Sequence, residues 1–231
     1  LNKNLLFIPG LLCNDDLWQG QTEALGQDYN LMTGDHRSHD NLPEMVKALL
    51  EKAPETFTLA GLSMGGYIAF EVMRQAPQRV EKLILLDTNA RADNSEQKRQ
   101  RQQMMAADME HEIAELIEER LSFLIRATCL SDQNLCRRII HMAEDTGMQA
   151  YLRQQNAMLN RPDSRPGLKD ISCPTLIICG EADMLTPPKV HHEMADLIAG
   201  SELHILKDCG HLSTMEKPAE VNRLMKDFLE K

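Results

Sequence analysis

A hydroxyl, a carboxylate and an imidazole each follow an apolar run in this sequence, and each sits beside glycine. They are Ser63 in "GLSMGG", Asp183 in "CGEAD" and His211 in "CGHLS". An alcohol is a poor nucleophile at neutral pH. A serine that attacks a carbonyl needs a base to take its proton, an acid to orient that base, and N–H donors for the oxyanion that forms. Ser63 alone does not establish this chemistry, because serine also caps helices and glycine also fills tight turns. The positions of the other two groups, and the elements that precede them, carry more weight.

Those elements alternate. The first half runs "NLLFIP", "YNLMTGD", the helical "LPEMVKALLEKA", "FTLAGLS", the helical "MGGYIAFEVMRQA" and "VEKLILLDT". The last third repeats the rhythm with "PTLIICG", "KVHHEMADLIAG", "SELHILKD" and "PAEVNRLMKDFLEK". Val-, Ile- and Leu-rich runs alternating with amphipathic stretches imply βαβ units and a parallel sheet buried on both faces. The expected fold class is α/β, a doubly wound, mostly parallel sheet of about six strands. In such a sheet the loops after the strands open on one edge, where ligands bind. Ser63, Asp183 and His211 all fall on that edge.

The rhythm breaks between residues 91 and 167. Here the composition shifts toward Gln, Glu, Arg and Met, strand-like runs are absent, and four helical stretches follow one another. Ile113, Leu116, Ile117, Leu121, Leu124 and Ile125 keep the spacing of a buried stripe. The expected organisation is therefore a core of residues 1–90 and 168–231 with a helical cap insertion at 91–167.

Composition narrows the partners. Asp and Glu number 35 against 25 Lys and Arg, and the net charge of −10 repels nucleic acid and anionic membranes. No segment approaches the roughly 20 apolar residues of a membrane span, and the N-terminal run is too short for a secretory signal. A cytoplasmic protein is expected, although a chain that begins without Met leaves a removed leader open. Cys13, Cys129, Cys136, Cys173, Cys179 and Cys209 lack metal or redox spacing and read as reduced thiols.

With these motifs in place, the sequence resembles the α/β-hydrolase family. That family carries its nucleophile on a strand-to-helix elbow of small-x-nucleophile-x-small form, with triad order Ser, acid, His. "GLSMGG", "CGEAD" and "CGHLS" match its three loops, and the resemblance covers nearly the whole chain outside the insertion. Two edge strands that the family usually carries first are missing from this sequence. The resemblance implies Ser63 as nucleophile, His211 as general base and Asp183 as the orienting acid. It also implies an oxyanion hole from the backbone N–H groups of Met64 and Leu11, the latter in "IPGLLCNDDLW" with Pro9 where the family usually has His. The implied activity is hydrolysis of small or medium carboxylic esters through an acyl-enzyme, without metal or organic cofactor. Thioester, lactone or carbon–carbon cleavage on the same triad, or a small-molecule receptor, are the alternatives.

Other residues compete for these roles. Asp87, ending "KLILLDT", could supply the acid instead of Asp183. "DHRSHD" (residues 35–40) resembles metal ligands only superficially, since it lacks two histidines separated by one residue. His191 and His192 are expected at the surface, His204 in a structural strand position, and Cys209 in packing. Met64, Met104, Met105, Met109 and Met142 could line an acyl pocket. Arg161 and Arg165, flanking Asp163, either pin a loop through ion pairs or recognise a substrate carboxylate.

Overall fold

Six apolar runs become six strands of one sheet, and helices fill the connections between them. In the computed structural model, which describes residues 3–231, the elements follow one another as β1 (Lys3–Ile8), α1 (Gln19–Leu25), β2 (Tyr29–Thr33), α2 (Leu42–Lys52), β3 (Phe57–Leu62), α3 (Met64–Gln75) and β4 (Val80–Leu86). Four helices then intervene: α4 (Ser95–Asp108), α5 (Ile113–Leu124), α6 (Gln133–Leu159) and α7 (Arg165–Leu168). The chain returns as β5 (Thr175–Gly180), α8 (Pro188–Leu197), β6 (Glu202–Leu206), α9 (Ser213–Glu216) and α10 (Pro218–Leu229). The strand order is β2-β1-β3-β4-β5-β6, and every neighbouring pair is parallel. This is the doubly wound α/β architecture expected from the alternating runs.

Side-chain alternation along the strands splits the core in two. Leu5 and Phe7 of β1, Leu62 of β3 and Ile178 of β5 pack on one face with Trp18, Leu224 and Phe228. Leu6 and Ile8, Leu59 and Ile177 pack on the other with Val46, Ile68 and Met194. Because both faces are covered, β3 and β5 are buried at every position. That explains why their sequences are apolar apart from Thr58 and Thr175.

The stripe foreseen between β4 and β5 is real. Leu116, Ile117, Leu121 and Ile125 are buried and join the cluster that holds Phe7 and Trp18. Two helices expected at 134–147 and 148–159 lie in one element, α6, interrupted at Gly147, where φ is 76° and ψ is 160°. A residue without Cβ adopts that conformation readily, so the break falls there. The returning segment "NRPDSRPG" contains a helix not foreseen from sequence, the single turn α7.

Close backbone approach fixes the edge where the motifs lie. A Cβ on Gly65 would stand 2.1 Å from the Ile8 carbonyl oxygen, and one on Gly180 would stand 2.0 Å from that of Gly210. Gly65 thus lets α3 press against the end of β1, and Gly180 lets β5 press against the loop after β6. We expect Gly65→Ala to lower stability by about 1–3 kcal/mol or more in chemical denaturation, as overpacking does. Gly167→Ala, with nothing within 4 Å of the added carbon, should stay within about 0.5 kcal/mol of the parent.

Candidate active site

Ser63 sits at the junction of β3 and α3 with φ 54° and ψ −115°. A non-glycine residue held there carries about 1–3 kcal/mol of strain, and it persists only if its surroundings hold it. They do. Its N–H donates to the Leu86 carbonyl at 3.0 Å, while its own carbonyl accepts from Gly66 N–H at 2.9 Å and from the Thr88 hydroxyl at 2.7 Å. Although Ser63 occupies the N-cap position of α3, its side chain makes no capping hydrogen bond. The hydroxyl lies 2.9 Å from His211 Nε2 instead.

The other imidazole nitrogen, Nδ1, is 2.8 Å from Asp183 Oδ2. An ionised carboxylate only accepts, so Nδ1 carries the hydrogen and Nε2 is left to receive the serine proton. Burial penalises the charge on both groups, yet their mutual attraction prevails: His211 is raised above its ordinary value and Asp183 is held below its own. Asp183 also accepts from the N–H groups of Leu185 and Thr186 at 2.9 Å and from the Thr186 hydroxyl at 2.7 Å, each favouring its ionised form.

Glu216, which nothing in its sequence context distinguishes, secures the histidine loop. Its carboxylate accepts from the N–H groups of Gly210, Leu212 and Arg126. His211 N–H meanwhile donates to the Leu124 carbonyl at 3.1 Å. The loop after β6 is thereby bound to the end of α5.

Asp87 lies on the same edge and is fully buried, but neither histidine nitrogen bonds it. Its oxygens accept from Gly180 N–H at 2.9 Å and Ser213 N–H at 3.2 Å, which ties the end of β5 to the start of α9. Burial, with Asp183 nearby, raises it to about 8. Asp87, Cys179 and Asp183 place potential ligand atoms within 4.8 Å of one another. Burial raises the Cys179 thiol and the carboxylates already serve N–H and O–H donors, so this set is poorly prepared for a cation.

The loop after β1 passes beside Ser63, and a Cβ on Gly10 would lie 3.5 Å from Ser63 Cβ. His36, from the "DHRSHD" stretch, is buried and hydrogen-bonds the Gly10 carbonyl through Nε2 at 2.9 Å. Sequence reasoning passed over this residue. Its burial lowers its basicity, and Asp35 and Arg37 beside it pair with each other.

Ser63 and His211 open into a cavity of about 430 Å³ lined by Leu11, Ile117, Phe123, Leu124 and Met158 among others. Of the methionines considered, Met104 lines it; Met64 does not, because its side chain is buried in the core between sheet and helices. Met109 is exposed and Met142 is core. His191 also departs from expectation. It is fully buried, not at the surface, because its Nε2 accepts the Thr88 N–H at 2.9 Å, and burial lowers it to about 4. His192 is exposed. Arg165 pairs with Asp163, whereas Arg161 reaches Asp93 and stacks over Tyr67.

Residues 5–224 match the model of the alpha/beta hydrolase family. The chain belongs to that family. Among its relatives, the pimeloyl-[acyl-carrier protein] methyl ester esterase of Photobacterium profundum is 28% identical, with 99% of this chain and 95% of that protein aligned. The 3-oxoadipate enol-lactonase 1 of Acinetobacter baylyi is 26% identical over 98% of this chain and 88% of its own length. A thermophilic esterase from Thermogutta terrifontis, solved with malate bound, superposes with a TM-score of 0.90 at 27% identity, covering 99% of this chain and 90% of that one. The family and these relatives make this chain a hydrolase.

The buried Asp87 has a consequence for stability within this hydrolase fold. Its folded value near 8 lies above the ordinary 3.8, so the folded state keeps a proton that the unfolded chain releases. Stability from this group is complete below about pH 4 and is lost as pH rises through about 8. Thermal midpoints between pH 6 and 9 should therefore fall more steeply for the parent protein than for Asp87→Asn. Parallel curves would contradict the assignment.

Proposed function

We propose that the protein is a serine hydrolase that cleaves carboxylic esters of small or medium size through an acyl-enzyme. The observation that carries this reading is the 2.9 Å approach of Ser63 Oγ to His211 Nε2, with Nδ1 on Asp183, in the wall of a cavity lined mostly by apolar residues. In this reading Ser63 attacks the ester carbonyl while His211 takes its proton. His211 then gives that proton to the departing alcohol, and a water activated by the same imidazole releases the acid. Asp183 holds the tautomer and stabilises the imidazolium.

The oxyanion would lie between the N–H groups of Leu11 and Met64. Met64 opens α3, where backbone N–H groups have no partner inside the helix. The Leu11 N–H belongs to the same peptide unit as the Gly10 carbonyl, and in a trans peptide the two point in opposite directions. By gripping that carbonyl, His36 and the Cys13 N–H aim the Leu11 N–H. Residues 91–167, as a cap over the cavity, would select the substrate, and Phe123 and Leu124 of α5 already line it. Lactone opening is the second reading, favoured by the likeness to the enol-lactonase. Six free thiols fit a reducing cytoplasm.

A fluorophosphonate should label the protein once, at Ser63, and the protein should turn over p-nitrophenyl esters. Ser63→Ala should lower kcat by about 10⁴-fold or more. Full turnover by Ser63→Ala, together with no labelling of the parent at Ser63, would overturn the proposal.

A further inference from the structure

The substrate cavity carries a charge that neither the triad nor an oxyanion hole uses. On a chain of net charge −10, its lining includes two arginines, Arg101 from α4 and Arg120 from α5, and no Asp or Glu among the described residues. Both side chains are largely buried, 19% and 27% exposed.

Of their partners, Asp93, Asp108 and Tyr151 stand outside this lining, and Gln155 is part of it. Arg120 is matched: Nη2 donates to Asp108 Oδ1 at 2.6 Å and Nη1 to the Tyr151 hydroxyl at 3.2 Å. Arg101 is not. Its Nε donates to Asp93 Oδ2 at 2.7 Å, but the other oxygen of Asp93 accepts from Arg161 Nη2, also at 2.7 Å. One carboxylate therefore serves two guanidinium groups, which leaves one positive charge in excess. Arg101 Nη1 further donates to Gln155 Oε1 at 2.6 Å, and Gln155 donates to Tyr151, which joins both arginines in one network. Arg101 Nη2 has no protein acceptor among the described residues. Arg101 stands in the wall of this cavity and of a neighbouring one that Asp93 and Arg161 also line, and a partly desolvated guanidinium with donors to spare is a site for a carboxylate.

We propose that the cavity binds substrates bearing a second, ionised carboxylate and that Arg101 recognises it. The inference rests on the ester-hydrolase reading and deepens it, naming monoanionic esters of dicarboxylic or hydroxycarboxylic acids as the substrate class. The extra carboxylate would bring the arginines and acids of the Asp93 site to equal number. Removing Arg101 leaves Asp93 with Arg161, so Arg101→Gln strands no buried acid.

The test compares kcat/KM for monomethyl glutarate with methyl hexanoate, and for O-acetylglycolate with propyl acetate, placing the charge on the acyl side and on the leaving side. At least one anionic ester should exceed its uncharged counterpart by about tenfold or more, chiefly through KM. That ratio should fall to about one in Arg101→Gln, be partly restored in Arg101→Lys, and stay unchanged in Arg137→Gln, a surface control. Ratios at or below one for both pairs, or a ratio that survives in Arg101→Gln, would overturn the proposal. Glutarate titrated calorimetrically into the Ser63→Ala protein reads the subsite without turnover. One-to-one binding weakened by Arg101→Gln supports the subsite even if ester cleavage itself fails. No binding up to about 10 mM overturns it.

Discussion

The arrangement depends on a backbone conformation that the chain would not adopt freely. At Ser63 the turn is bounded by β3, which must stay in the sheet, and by α3, whose Gly65 and Gly66 lie directly against the end of β1 and the Thr88 side chain. The tertiary contacts that create the strain also maintain it. The small residues around the turn are needed for the spacing between backbones. The 2.9 Å approach of the Ser63 hydroxyl to His211 accompanies that spacing.

Two carboxylates at neighbouring strand ends show how surroundings divide similar groups. Asp87 and Asp183 are both buried and close together, yet they shift in opposite directions. Asp183 faces an imidazole that can become a cation and receives a hydroxyl and two N–H groups. Asp87 has two N–H groups and a like charge beside it. Burial disfavours the charge on Asp87 and the Asp183 anion adds to that, so Asp87 is raised while the imidazole and its donors hold Asp183 below its ordinary value. Asp87 then serves as a strap between the end of β5 and the start of α9.

The sheet was legible because strands covered on both faces need runs of mostly apolar residues, and β3, β5 and the Leu83–Leu86 end of β4 have them. Ser63, Asp183 and His211 were legible because each follows a strand beside a glycine required for close approach, a feature that local sequence retains. The supports of the site were not. His36, Glu216 and Gln155 each hold a residue distant in sequence, Gly10, Arg126 and Arg101 respectively, and nothing near them announces that partner. His191 looked like half of an exposed pair because adjacent helical positions diverge; the unpaired Thr88 N–H that draws it inward is set by the sheet. The joint of α6 at Gly147 was visible as a glycine and the helical stretches on either side of it were expected, while their union in one element was not.

The central claim is that His211 acts on Ser63 as a base whose proton affinity Asp183 raises. The pH dependence of kcat/KM for a neutral ester tests it most directly. Because His211 must be unprotonated to accept the serine proton, activity should fall on the acid side through an inflection above 6.5, the ordinary value for histidine. In Asp183→Asn that inflection should move to lower pH while the plateau falls. An inflection at or below 6.5, or one displaced by Asp87→Asn and untouched by Asp183→Asn, would contradict the account.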